Sequence, residues 1–174
     1  MRLFLGIPAP PSDFEAATHL LDGTPGWHPT RAGTWHTTLR FFGEVLEVEP
    51  IVAALDATLK GRPALPAVIE GIGCFPHPKA ARVVWCGVRA PGIEQLAKAV
   101  EDATAQFGEP PERRRFVAHV TLGRLARPAD LRSLVHAERD RLIAQGILDK
   151  VVLYRSTQGP GGTHHEPLHT VKLG

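Results

Sequence analysis

The sequence predicts an α+β protein with two lobes: two antiparallel β-sheets related by a pseudo-two-fold axis, flanked by helices, with a central groove between them. Three observations carry that expectation. Apolar runs of strand length alternate with stretches of helical periodicity along the 174 residues. Two of the strand runs, 64–75 and 81–89, are joined by the turn-rich "PHPKA", which marks a hairpin rather than a parallel crossover. The tetrapeptide His36-Thr37-Thr38-Leu39 is echoed by His119-Val120-Thr121-Leu122, so each half carries one strand of the same unusual pattern. The length suits one domain, 1–174, with two similar lobes.

Each element follows from local chemistry. "RLFLGIP" is an apolar strand ended by prolines. "SDFEAATHLLDG" reads as a helix, with Ser12 and Glu15 at capping-box spacing and Asp22-Gly23 at its end. The strand of His36 comes next and stops near Gly43. "VEPIVAALDATLKG" is a helix with Ile51, Leu55 and Leu59 on one face. After the hairpin, "PGIEQLAKAVEDATAQFG" carries the clearest amphipathic stripe: Ile93, Leu96, Val100 and Phe107. The strand of His119 follows, then a helix around "PADLRSLVHAERD". "ILDKVVLYRST" reads as one strand, separated by a glycine-rich turn from a last strand near 164–172.

Composition narrows the classes. No run approaches the roughly 18 apolar residues of a membrane helix, and the start lacks the pattern of a secretory signal. A reducing cytoplasm is therefore the expected compartment. Cys74 and Cys86 are too few for a disulfide scaffold or a four-cysteine zinc site. Both are expected as free thiols, although a hairpin over 72–88 could make them cross-strand neighbours. The net charge of +2 permits a polyanionic partner without demanding one.

Alternation along a strand puts His36, Thr38 and Arg40 on one face and Leu39 and Phe41 on the other; His119 and Thr121 likewise share a face. Each motif thus presents an imidazole beside a hydroxyl, anchored by apolar residues behind. A lone strand histidine is ordinarily structural, but two copies with the same threonine spacing point to chemistry. Imidazole titrates near neutral pH, so one ring can take a proton while the other gives one. That pairing suits in-line displacement at phosphorus, with threonine hydroxyls and arginines receiving the non-bridging oxygens.

On these residues the chain resembles the two-histidine phosphoesterases, most closely the bacterial and archaeal RNA 2′,3′-cyclic phosphodiesterases, also called the 2′-5′ RNA ligase family. The resemblance is carried by "RLFLGI", "HTTLRFFGEV", "GIGCFP" with "ARVVWCGV", "RRFVAHVTLGRL" and "VVLYRST". It implies a bilobal fold and cleavage of a 2′,3′-cyclic phosphate at an RNA end to a 2′-phosphate, with no metal and no cofactor. His36 and His119 match the family's catalytic histidines, and Thr38 and Thr121 its phosphate-binding threonines. Arg124 matches a phosphate-contacting arginine, and Phe41 an aromatic that stacks on the terminal base. The expected partner is RNA with a 2′,3′-cyclic phosphate terminus, met by a monomer. The reading leans toward His119 activating water and His36 protonating the leaving 3′ oxygen, roles that exchange in ligation.

Strict alternation puts Arg124 on the wrong face, which a bulge at Gly123 could correct. Phe41 is claimed by the core on parity and by a base on resemblance. Arg40 has groove parity, with an exposed strand arginine as the plain alternative. Ala118 stands where the family often has proline, and "GTHHEPLH" where it tends to have a tyrosine. His164, His165 and His169 read as solvated surface histidines rather than metal ligands, since adjacent strand residues face opposite ways. The basic run "ERRRF" at 112–116 reads as a solvated loop or an RNA-phosphate contact. Two other functions stay open: a ligase or phosphodiesterase for another cyclic or 2′-5′-linked substrate, and a non-catalytic RNA-end binder.

Overall fold

The structure, a computed structural model, describes all residues, 1–174. Its strands are β1 (Arg2–Pro8), β2 (Trp27–Pro29), β3 (His36–Glu44), β4 (Leu65–Phe75), β5 (Ala81–Arg89), β6 (His119–Ala129), β7 (Leu142–Leu148), β8 (Lys150–Gly159) and β9 (Gly162–Lys172). Its α-helices are α1 (Phe14–Thr18), α2 (Glu49–Leu59), α3 (Ile93–Thr104) and α4 (Arg132–Ala137). The strand order is β7-β4-β5-β6-β3-β1-β8-β9, with β2 also on β6, and every pairing is antiparallel. The two expected sheets are present as two four-stranded halves. They fuse where β3 meets β6, through the single residue pair Thr37↔Val120.

That pair lies at the pseudo-two-fold. Beyond it β3 and β6 diverge, and each is accompanied by the chain that leads into the other. β2 and Thr30, which precede His36, lie along β6: Trp27, His28 and Pro29 pair with Leu125, Arg124 and Gly123, and Thr30 N donates to Leu122 O at 2.7 Å. Residues 107–109, which precede His119, lie along β3: Glu109 N donates to Phe42 O at 2.7 Å. Gly123 is glycine because β2 passes so close. A Cβ there would stand 2.5 Å from the His28 carbonyl oxygen.

Two cores support the halves. Under β1, β3 and β8 lie α2 and α3. Ile51, Leu55 and Leu59 of α2 and Ile93, Leu96, Ala97 and Val100 of α3 meet Leu3, Leu5, Ile7, Leu39 and Phe42. The apolar stripe is why α3 is a helix here, and Lys98 and Asp102 pair at i,i+4 on its wet face. Under β4–β6 a second cluster joins Phe14 and Leu21 to Ile69, Ile72, Val84, Val120 and Leu122. Leu122 is fully buried, so Leu122→Ala would cost about 2–5 kcal/mol. β1 is buried along five consecutive residues because it lies between β3 and β8 with α-helices behind.

Several boundaries differ from the sequence reading. The first helix starts later, capped by Asp13, whose Oδ1 accepts from Ala16 N at 3.0 Å. Ser12 instead donates its hydroxyl to the Ile143 carbonyl, tying the loop to β7. "ILDKVVLYRST" is two strands, not one. The chain breaks at Asp149, leaving β7 on the edge of one half and β8 inside the other. Cys74 pairs with Val84 and Cys86 with Ile72, so the cysteines are not direct partners; both are free and buried. No helix is long and apolar enough to cross a membrane.

Candidate active site

The central Thr37↔Val120 pair turns its own side chains into the packed side, where both are buried. Their neighbours, His36 and Thr38 on β3 and His119 and Thr121 on β6, therefore share the opposite, groove face. Antiparallel pairing sets His36 across from Thr121 and Thr38 across from His119. The four motif side chains thus form a ring around one backbone pair.

The two imidazoles are held alike. His36 Nδ1 lies 2.7 Å from the Thr34 carbonyl and His119 Nδ1 lies 2.7 Å from the Val117 carbonyl, each two residues upstream. A carbonyl only accepts, so each neutral ring carries its proton on Nδ1 and presents a bare Nε2. Burial pushes the His36 imidazole below its ordinary 6.5; the Thr34 carbonyl opposes this, and His165 and His119 reinforce it. Burial also lowers His119, opposed by the Val117 carbonyl and reinforced by Arg124. Both shifts favour the neutral ring.

Each ring has an aromatic wall. Around His36 stand Phe4 at 5.0 Å, His165 at 5.4 Å and Tyr154 at 6.1 Å between centroids. Around His119 stand Phe75 at 5.0 Å and Trp85 at 5.8 Å. Gly6 makes room for the first ring: a Cβ there would sit 3.3 Å from His36 Cδ2. Of these wall residues the sequence singled out only His165, and as a solvated histidine. Their only signal was strand parity, which places Phe4 and Gly6 on one face of β1.

Bulges decide the outlying candidates. The register of β1 on β3 slips between Leu5↔Arg40 and Gly6↔Thr38, leaving Leu39 as the extra residue. The register of β5 on β6 slips between Val84↔Gly123 and Trp85↔Thr121, leaving Leu122 as the extra residue. The two bulges are equivalent, three residues after each histidine, and both reverse the alternation beyond them. Position five after each histidine therefore returns to the groove face: Phe41, half-exposed at 50% and 6.0 Å from the Phe4 ring, and Arg124, also exposed. The bulge that turns Arg124 lies at Leu122, one residue earlier than the glycine expected to supply it.

Arg40 needs correction. It is not on the groove face but in the packed side, 4% exposed. Its guanidinium donates to the carbonyls of Glu101, Phe107 and Glu109 at 3.2, 3.0 and 3.1 Å and lies 4.9 Å from the Phe42 ring centre. The Leu39 bulge puts it there. The three C-terminal histidines also part company. His164 Nδ1 meets Arg31 Nη1 at 2.9 Å, His169 Nε2 meets Asp56 of α2 at 2.7 Å, and His165 packs on His36 rather than on solvent. No three His, Cys, Asp or Glu side chains are grouped to hold a metal ion. A recess of about 520 Å³ lies between the start of α3 and residues 115–118. It contains neither motif histidine.

This architecture with paired His-x-Thr motifs is that of a two-histidine phosphoesterase. A profile of the 2′-5′ RNA ligase superfamily matches residues 11–160, and the chain belongs to that family. It is 31% identical to the RNA 2′,3′-cyclic phosphodiesterase of Methanothermobacter thermautotrophicus over 79% of this chain and 78% of that protein. It is 34% identical to the Archaeoglobus fulgidus protein of the same name, over 73% and 74% respectively. Among solved structures, TT0787 of Thermus thermophilus matches with a TM-score of 0.83 at 26% identity, covering 99% of this chain and 98% of that one. E. coli LigT complexed with 3′-AMP matches with a TM-score of 0.75 at 27% identity, over 99% and 97%.

Proposed function

We propose that this protein opens 2′,3′-cyclic phosphates at RNA ends to 2′-phosphates, with His36 and His119 as the acid–base pair. The observation that carries the reading is the matched presentation of two bare Nε2 atoms, each fixed by an upstream carbonyl, around one backbone pair. A cyclic phosphate lying between them meets a base on one side and an acid on the other. Thr38 and Thr121 donate to its non-bridging oxygens, where charge builds in the transition state.

The roles follow from where the pseudo-symmetry breaks. At the fifth position after the histidine, the His36 strand offers Phe41 and the His119 strand offers Arg124. An aromatic face takes an unpaired base and a guanidinium takes phosphate. The nucleoside then lies on the β3 half, its 3′ oxygen toward His36. Water approaches from the opposite side, where Arg124 helps keep His119 neutral and so able to accept a proton. His119 removes the proton of water as its oxygen bonds to phosphorus. The bond from phosphorus to the 3′ oxygen breaks, and that oxygen takes the proton of protonated His36. The bound phosphate anion favours this charged form of His36, which burial alone opposes. Both lobes contribute half of the site, so the whole chain acts as one unit and a monomer suffices.

The test is hydrolysis of a nucleoside and an oligonucleotide 2′,3′-cyclic phosphate in excess chelator, with the products separated. A 2′-phosphate is expected, and His36→Ala or His119→Ala is expected to lower kcat by about a thousandfold or more. Full activity in both variants, or activity abolished by chelator, would sink the proposal. A substrate panel that includes 2′-5′-linked RNA and RNA halves distinguishes a hydrolase from a ligase, since the same histidines serve the reverse reaction.

A further inference from the structure

The His36 and His119 environments match in one detail and differ in its chemistry. Each imidazole is met edge-on by another ring at an interplanar angle of 87°. For His119 the ring is Phe75, at 5.0 Å; for His36 it is His165, at 5.4 Å. The two edge-on rings come from non-equivalent strands, since Phe75 of β4 corresponds to Tyr154 of β8 while His165 comes from the outer strand β9; an inert hydrocarbon thus stands against one motif histidine and a titratable imidazole against the other. His165 is also wedged against Phe4 at 4.8 Å and lies 6.3 Å from Tyr154. Its position on β9, opposite Ser156 of β8, is fixed by the hairpin ladder. Its Nδ1 is shielded from water and makes no well-formed hydrogen bond.

We propose that His165 is a positioning residue of the groove, holding the His36 ring in place and governing whether that ring carries charge. The inference rests on the acid–base reading above and deepens it. His165 makes the two motif histidines chemically unequal, on the half of the groove that receives the nucleoside.

Among the titratable groups around the His36 ring, His165 has the largest effect on its charge, after burial and the Thr34 carbonyl. β3 presents His36, β6 presents His119 across the groove, and β8 presents Tyr154, whose hydroxyl burial keeps protonated. On β9 the neighbour is His164, held by Arg31 from the loop before β3. The Arg155–Glu166 pair is engaged with itself. No carboxylate appears among the groups that act on His36, so a proton on His165 is felt there as repulsion. Burial keeps His165 itself inclined to the neutral form, opposed by the His164 main chain and reinforced by the His164 ring. When neutral it supports the His36 ring without opposing its charge. When acid protonates it, the repulsion makes the proton that His36 must deliver harder to hold.

The experiment is a proton NMR titration of the His36 ring in the native protein and in His165→Phe, which copies the edge-on packing of Phe75. Even with full water screening, repulsion across 5.4 Å moves a pKa by about half a unit. In the variant, His36 should therefore titrate at least about half a unit higher and as one simple step, while His119 stays put. The alkaline limb of kcat, where His36 loses its proton, should shift the same way, with KM nearly unchanged. His165→Gln, which keeps a polar group without titrating, should behave like His165→Phe in the titration and serves if the phenylalanine variant folds poorly. An unmoved His36 titration in both variants would overturn the proposal. The titration needs no turnover, so absent cyclic phosphodiesterase activity would defeat the functional reading while leaving this result readable.

Discussion

Replacing Arg40 with methionine separates its structural position from any role on substrate. The substitution keeps the alkyl stem against Phe42 and removes the guanidinium that serves three carbonyls, those of Glu101, Phe107 and Glu109. A hydrogen bond from a charged donor contributes about 1.5–3 kcal/mol net. Three bonds at the low end, less what water regains at the outer carbonyls, give a loss of about 3–4 kcal/mol. The contact with Phe42 adds about 1 kcal/mol. Urea unfolding followed by tryptophan fluorescence should show this as a lower midpoint at unchanged slope. Well below that midpoint, kcat/KM should stay within about threefold of the native value, because Arg40 faces away from the groove. Wild-type stability with kcat/KM reduced about a hundredfold would mean the guanidinium reaches substrate, and the bulge argument would fail.

Arg124→Ala should do the reverse, leaving stability within about 0.5 kcal/mol and lowering kcat/KM about a hundredfold; steady-state kinetics beside urea unfolding checks both. Phe41→Ala should raise KM several-fold for a cyclic phosphate with an attached base and leave kcat nearly intact, since a stacked base contributes about 1–3 kcal/mol. Stability should fall with acid. His36 and His119 sit below their unfolded pKa of 6.5, so the unfolded chain binds more protons in the window from about 6.5 down through the lowered folded values. Unfolding midpoints should be level above that window and drop within it, and His119→Phe should flatten the drop. Burial raises the Cys74 and Cys86 thiols to about 11 and about 12. Neither should react with a thiol reagent near neutral pH until denaturant is added, after which two should react.

The paired motifs were legible because repetition is a signal that survives without structure. The helices were legible where an apolar stripe met a surface, as in α2 and α3. Phe41 and Arg124 could not be placed by alternation, because each strand carries a bulge with no mark of its own: Leu39 and Leu122 look like any apolar strand residue. The same bulge hid the burial of Arg40, whose partners lie on α3 and on the loop after it. Residues 147–157 read as one strand because Ile147, Leu148 and Val151–Leu153 are apolar on both sides of the short Asp149-Lys150 interruption. Only the competition between two sheet edges breaks them at Asp149. His165 has no local partner, and its neighbour Phe4 comes from the other end of the chain, so sequence left it on the surface.

The crossed approach segments have a mechanical consequence. To part β3 from β6 is also to strip β2 from β6 and residues 107–109 from β3, since each motif is entered through chain bound to its opposite. A hinge between the halves would break these bonds together. The gauge between the two imidazoles is therefore set by main-chain bonds rather than by loops that open and close. Under the proposed function, selection among RNA ends would fall to the walls of a jaw of fixed width, to what stands at Phe4, Phe41, Tyr154 and His165.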